Sequence, residues 1–438
     1  MANADGAWTF CGATGDGWAF ATRDPHGIRP GYYYSDDEVF VVASERPAIQ
    51  AAFDVPPEAV KELPPGAALI VSPDGEVLMS ELSSTINPTP RPCAFERIYF
   101  SRANDADIYH ERKALGAALV PQILAAAHAP MERIFFSYIP NSARIAYYGL
   151  LEELIKMNLT QSRREAESAE MYENSASSAP PREIHIPRFG EIAVKDAKFR
   201  TFIADAAARK EFYKHVYDVT YGLIDEEDTL VVMDDSIVRG NTMRNAIIPM
   251  LSRLGPKRIV IVSSAPPIRY PDCYGIDMST LGELVAFRAL VNLLDGELGT
   301  GNGERELRKA LVGRVVPNAP RRLEDKPPYH NPLAPLYARF TEEQHCAEIA
   351  RLLTPPGTKA EVVVVYQTVE NLRKCLGART NDKRQTTDEG CNSQLSTFNS
   401  QLAFGDWYFT GDYPTPGGYK VLRKALLNYL EKNSERSY

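Results

Sequence analysis

No stretch of this 438-residue chain approaches the ~18 uninterrupted apolar residues of a membrane span, which excludes a helical membrane protein. Cysteine is sparse. The six present, Cys11, Cys93, Cys273, Cys346, Cys375 and Cys391, include no C-x-x-C pair, which argues against a disulfide framework and a compact zinc knuckle. Met1 to Phe10 carries neither a basic n-region nor an apolar h-region, so no secretory signal is read and the cytoplasm is the expected location. Positive charge is not in excess either: 49 Lys+Arg against 57 Asp+Glu gives -8. No global field draws in nucleic acid, and any anion must find a local site. What is present, 44% hydrophobic and 24% charged residues over this length, predicts at least two globular cores.

Trp8 to about Met79 reads as short β-runs broken by Gly, Asp and Pro: WTFCGA, GWAFAT, GYYYS, EVFVVAS, and ALIVS closed by Pro73-Asp74-Gly75. The first run stands almost at the start of the sequence, so the segment reads as part of a domain. Leu82 to Pro92 is a polar, proline-rich connector. Beyond Cys93 the strands ERIFFSYIP, TLVVM and RIVIVSS alternate with amphipathic stretches, the pattern of a mostly parallel α/β sheet. Ser162 to Pro181 and Gly377 to Gln401 are polar stretches with few apolar anchors, and both are expected to be mobile insertions. Lys420 to Lys432 has apolar residues at helical spacing and predicts a terminal helix.

Asp228 to Thr242, DTLVVMDDSIVRGNT, carries the chemistry. A buried strand ends in adjacent carboxylates, Asp234 and Asp235, and Ser236 to Thr242 forms a tight loop containing Gly240. An amphipathic helix follows, with Met243, Ala246, Ile247, Met250, Leu251 and Leu254 on one stripe and a kink expected at Pro249. Backbone N–H groups feeding a helix N-terminus attract phosphate, and the hydroxyls of Ser236 and Thr242 add donors. The carboxylates would repel that phosphate, so they face hydroxyl groups or a divalent cation. A phosphorylated ribose with magnesium meets both requirements.

DDSIVRGNT after a hydrophobic strand resembles the phosphoribosyl pyrophosphate loop of type I phosphoribosyltransferases, and is most similar to that of the glutamine phosphoribosylpyrophosphate amidotransferase (amidophosphoribosyltransferase) family. Further segments resemble that family in its own order: RDPHGIRP (Arg23 to Pro30), VVASERPAIQ, CAFERIYFSRAND, IPNSARIA (Ile139 to Ala146), FRTFI, SSAPPIRYPDCYGIDMST and FTGDYPTP. The resemblance implies an α/β type I phosphoribosyltransferase fold, a mostly parallel sheet with flanking helices, preceded by the second half of an N-terminal-nucleophile glutaminase α+β sandwich. The domains it implies are a partial glutaminase at 1–88, the phosphoribosyltransferase at 89–296 and a C-terminal extension at 297–438.

By the same resemblance, Asp234 and Asp235 hold the ribose hydroxyls and, with Ser142, position Mg2+. Ser236, Ile237, Val238, Arg239, Gly240, Asn241 and Thr242 cradle the 5-phosphate; Asn141, Ala143 and Arg144 belong to the pyrophosphate loop; Arg200 opens the loop that closes over the substrate. The family's lid usually carries a basic run with Lys-Leu, where this chain has Tyr217 and Asp218. Some members hold a 4Fe-4S cluster on four cysteines. Cys93 and Cys273 match two, but the other positions are Gly405 and Tyr408, so no iron-sulfur cluster is expected.

The implied activity is amidophosphoribosyltransferase, forming 5-phosphoribosylamine and pyrophosphate from phosphoribosyl pyrophosphate, the first committed step of de novo purine biosynthesis. The family's nucleophile is an N-terminal cysteine, whereas this sequence opens Met1-Ala2-Asn3 and Cys11 matches a later strand. The glutaminase is therefore expected to be truncated and the activity to depend on ammonia. Expected partners are phosphoribosyl pyrophosphate, ammonia, purine nucleotides as feedback inhibitors and further copies of the chain, with neither nucleic acid nor membrane. Two rivals are a non-catalytic phosphoribosyl-pyrophosphate-sensing regulator and a phosphoribosyltransferase acting on a base such as orotate, which RDPHGIRP and YGIDMST disfavour.

Overall fold

The structure, a computed structural model, describes residues 5–81, 89–172, 186–195, 217–312, 330–377 and 404–432. The chain forms two compact units that do not follow chain order: Met1–Glu111 with Ile268–Thr341 and Arg373–Tyr438, and Arg112–Pro267 with Glu342–Leu372. The 89–296 stretch contributes to both.

In the first unit the β-runs fold as antiparallel sheets. Strands β1 (Thr9–Ala13), β2 (Ala19–Arg23), β6 (Ala67–Val71) and β7 (Val77–Glu81) form one sheet in the order β1-β2-β6-β7. Strands β3 (Tyr32–Ser35), β4 (Phe40–Ala43) and β5 (Lys61–Glu62) form a second, ordered β4-β3-β5. Ala21, Ala67 and Leu69 of one sheet and Leu63 make a core onto which Tyr33, Phe40 and Val42 of the other pack, so two inner faces share one apolar layer. The RDPHGIRP turn is built around Arg23, which is 2% exposed. Its guanidinium donates to the carbonyls of Arg29 at 2.6 Å, Leu63 at 2.7 Å and Gly27 at 2.9 Å, and to Glu62 Oε1 at 2.7 Å. Gly27 has φ 61°, and a Cβ there would lie 2.7 Å from the Pro65 ring, so the turn tolerates only glycine. The expected terminal helix spans Pro416–Leu430.

The second unit holds a five-stranded sheet made of β8 (Ile134–Tyr138), β9 (Arg188–Phe189), β12 (Thr229–Asp234), β13 (Arg258–Ser263) and β14 (Glu361–Tyr366), in the order β14-β13-β12-β8-β9. Every pairing in it is parallel. Val231 stands opposite Phe136 and Val260, and Val260 opposite Val363. Such strands, apolar on both faces, are the sequence signature of a sheet covered on both sides. Helices α3 (Val120–Ala127) and α4 (Arg144–Tyr172) contribute Val120, Ile123, Tyr147, Leu150 and Leu154 to the core that Phe136, Val231 and Val260 line. A separate antiparallel pair joins β10 (Ala193–Lys195) to β11 (Tyr217–Val219), so Tyr217 and Asp218 lie in a strand.

Two expectations need correction. The stretch from Ser162 does not leave the fold at once, because α4 runs on to Tyr172; its Ala, Glu and Arg are good helix formers. Residues 173–185 and 378–403 lie outside the described residues. The helix after Thr242 is not one kinked α-helix but a π-turn, Met243–Ile247, followed by an α-turn, Ile248–Ser252. Pro249 lacks the N–H that would continue an α-ladder, and the ladder shifts register just before it, with Ile248 N–H donating to Met243 O.

Candidate functional site

In chain order the sheet of the second unit reads 2-1-3-4-5, since β8 lies between the next strand along the chain and β12. Its connections therefore depart in opposite directions from β8 and β12. Open α/β sheets bind ligands at the carboxyl ends of such a strand pair. Asp234 is the last residue of β12, and Ile139 N–H, one residue past β8, donates to Met233 O at 2.8 Å. The switch point thus brings Asn141, Ser142, Ala143 and Arg144 beside Asp234 and Asp235.

The carboxylate pair is fixed from three strand ends. Ser264 N–H donates to Asp234 O and Ala265 N–H to Asp235 O, each at 3.0 Å, and Ser264 Oγ donates to Asp235 O at 3.1 Å. Asp235, 6% exposed, accepts from Ser236 Oγ at 2.9 Å and from the Ser142 hydroxyl. Asp235 N–H donates to Asp234 Oδ1 at 2.9 Å. Burial, reinforced by the neighbouring Asp235 charge, pushes the Asp234 carboxyl well above the usual carboxylate range. Burial raises Asp235 as well, opposed by the two serine hydrogen bonds and by the Arg112 guanidinium.

Such a pair favours an added cation. The donors are oxygens only, two carboxylates and a serine hydroxyl, and among the described residues no set of three His, Cys, Asp or Glu forms a cage. Magnesium suits that arrangement, since it takes one or two carboxylates and completes its shell with water and substrate phosphates.

Beyond the carboxylates, Ser236 to Gly240 are partly or fully buried, whereas Asn241 and Thr242 are exposed. Gly240 turns the loop at φ 75°, and its carbonyl accepts from Arg244 N–H at 2.9 Å. Ile237 is buried and anchors the loop, while Val238 and Arg239 lie half-buried between it and the turn. On the β8 side Ala143 is fully buried and Asn141 and Arg144 are exposed, so Arg144 is placed to meet a solvent-borne anion. Arg200 lies outside the described residues. Two groups that motif reading missed are Ser264 and Arg112. Arg112 sits on helix α2 (Ala106–Ala118), far from the loops in sequence, and is 4% exposed. Its one sequence signal is an arginine in a run whose spacing buries it.

The sheet order and the loop at its switch point define a type I phosphoribosyltransferase fold. No protein-family profile matches the chain. Curated relatives do. The amidophosphoribosyltransferase of Bacillus subtilis (strain 168) is 29% identical over 282 residues, 63% of this chain and 50% of the relative. That of Mycobacterium tuberculosis (strain H37Rv) is 28% identical over 274 residues, 61% of this chain and 43% of the relative. Among solved structures, glutamine phosphoribosylpyrophosphate amidotransferase from B. subtilis complexed with ADP and GMP superposes with a TM-score of 0.54 at 23% identity, covering 94% of this chain and 64% of that one. A structure described as the allosteric regulatory enzyme of purine biosynthesis gives 0.51, also at 23% identity, covering 91% and 60%. In sequence the chain is similar to the amidophosphoribosyltransferases, and it spans about half the length of the curated relatives it matches.

Proposed function

We propose that this chain transfers a phosphoribosyl group from phosphoribosyl pyrophosphate to ammonia, giving 5-phosphoribosylamine and pyrophosphate, the committed step of purine synthesis. The observation that supports it is the meeting of Asp234, Asp235 and Ser142 at the switch point of the parallel sheet. Displacement at C1 of the ribose passes through a cationic, oxocarbenium-like centre, so the site must hold the sugar, accept charge and keep water out. Asp234 and Asp235 would hold the sugar hydroxyls and face that positive charge. The N–H groups from Ser236 to Thr242 would hold the 5-phosphate, and Asn141 to Arg144 the leaving pyrophosphate. Magnesium held by Asp234, Asp235 and Ser142 would neutralise pyrophosphate charge.

Ammonia is the donor in this reading because Cys11, the one cysteine among residues 1–88, lies within strand β1, where it has no free α-amino group to act as base for attack on glutamine. Purine nucleotides are proposed as regulators, given the ADP and GMP bound by the B. subtilis relative. Calorimetric titration of phosphoribosyl pyrophosphate with and without magnesium tests the site. Magnesium-dependent binding, lost in Asp234→Asn/Asp235→Asn, is expected; binding unchanged in that variant would remove the site from these residues.

A further inference from the structure

Helices α2 and α4 meet in the second unit with no side chain between their backbones. A Cβ on Gly116 would lie 1.7 Å from the carbonyl oxygen of Ala146, and a Cβ on Gly149 would lie 1.9 Å from that of Lys113. Each helix thus puts a carbonyl where the other lacks a side chain, well inside the usual interaxial spacing. Lys113 and Glu152 close the same crossing with an ion pair. A backbone-to-backbone contact cannot yield by rotamer change, so it fixes the first turn of α4 against α2.

Along the chain the crossing lies four residues from Ser142 on one side and four from Arg112 on the other. On α4, Ala146 is four residues past Ser142, whose hydroxyl donates to Asp235. On α2, Arg112 precedes Gly116 by four residues and so lies on the same face, buried at 4% exposure, its charge acting on that same Asp235. Neither glycine has a positive φ, so turn geometry does not explain them; close approach does.

We propose that the Gly116–Gly149 crossing is a gauge that presents Ser142 and Arg112 together to Asp235, making Gly116, Gly149 and Arg112 positioning residues for the magnesium–pyrophosphate half of the site. A methyl group at either glycine would part the helices by about 1.5 Å to restore van der Waals contact, more than the Ser142 hydrogen bond tolerates.

The inference rests on the function proposed above, and one set of titrations tests both. Binding of phosphoribosyl pyrophosphate to the full chain is measured by calorimetry across a magnesium series. Wild type is compared with Gly116→Ala, Gly149→Ala, Ser142→Ala and the Gly149→Ala/Ser142→Ala pair, each checked for native circular dichroism. Either glycine variant is expected to weaken binding about tenfold and to raise the magnesium needed for half-saturation. Gly149→Ala should add little once Ser142 is gone, whereas a merely structural effect would add in full. Should the glycine variants not fold, Arg112→Gln serves: it removes the charge that acts on Asp235 and is expected to shift the magnesium requirement the same way. Folded variants with wild-type affinity and magnesium requirement, or full additivity, overturn the gauge alone. A wild-type chain that binds no phosphoribosyl pyrophosphate overturns the proposed function and the gauge with it.

Discussion

Asp235 donates its backbone N–H to the side chain of Asp234 at 2.9 Å, so the backbone of the second acid holds the carboxylate of the first in place. Both acids carry folded-state pKa values raised above the ordinary carboxylate range, by burial and, for Asp234, by its neighbour's charge. A raised acid binds more protons in the folded than in the unfolded chain. Its contribution is fully present below the unfolded pKa and is lost as pH rises through the folded one. Without magnesium, the melting temperature should therefore fall as pH rises above the ordinary aspartate range, and Asp234→Asn should flatten that fall. Thermal melts across pH measure it; identical pH profiles for the two proteins would contradict the coupling.

Arg23 donates to three carbonyls and one carboxylate from a position 2% exposed. Arg23→Met would leave those buried carbonyls unpaired, and a loss of about 3 kcal/mol in denaturant-induced unfolding is expected. A change within ~0.5 kcal/mol, the range of ordinary surface substitutions, would show that the RDPHGIRP turn does not depend on this residue.

The thiols should react in order of exposure. Cys11 is exposed on strand β1, whereas Cys93 is buried and its pKa is pushed up to about 12 by burial and the nearby Glu96 charge. Iodoacetamide at pH 8, followed by peptide mass spectrometry, is expected to mark Cys11 first and Cys93 only on unfolding. Modification of Cys11 should leave phosphoribosylamine formation from ammonia intact.

Cys93 Sγ donates to Tyr408 OH at 3.7 Å, Tyr408 OH donates to Asp272 Oδ1 at 2.8 Å, and Gly405 pairs its backbone with that of Cys93. A Cβ at Gly405 would lie 1.8 Å from the Trp407 ring. A phenol and a glycine supply no thiolates, so anaerobically purified protein is expected to contain neither iron nor acid-labile sulfide. Stoichiometric amounts of both would show that other cysteines are recruited.

How far the sequence reading carried depended on how local each feature is. The β-runs of the first unit and the strands TLVVM and RIVIVSS were legible because alternation or continuous apolarity within a few residues fixes them. The carboxylate pair and Gly240 were legible because strand, loop and helix follow one another without a gap. The 2-1-3-4-5 order was not, since β8 and β12 pair across nearly a hundred residues that leave no periodic trace. Ser264 and Arg112 were missed for that reason: Ser264 bonds to Asp235 and the Arg112 charge acts on it because of the sheet order and the helix crossing, not because of a motif. The kink expected at Pro249 was not what forms: the π-turn ahead of the proline depends on how neighbouring residues share the lost hydrogen bond.

Pyrophosphate released from phosphoribosyl pyrophosphate plus ammonia and magnesium, by the purified chain beside its folded Asp234→Asn/Asp235→Asn variant, tests the central claim most directly. The account predicts steady release by the wild-type chain and a loss of at least a hundredfold in the variant, as expected for groups that face the charge of the transition state. Equal release by both proteins, or none by the wild type, would contradict it.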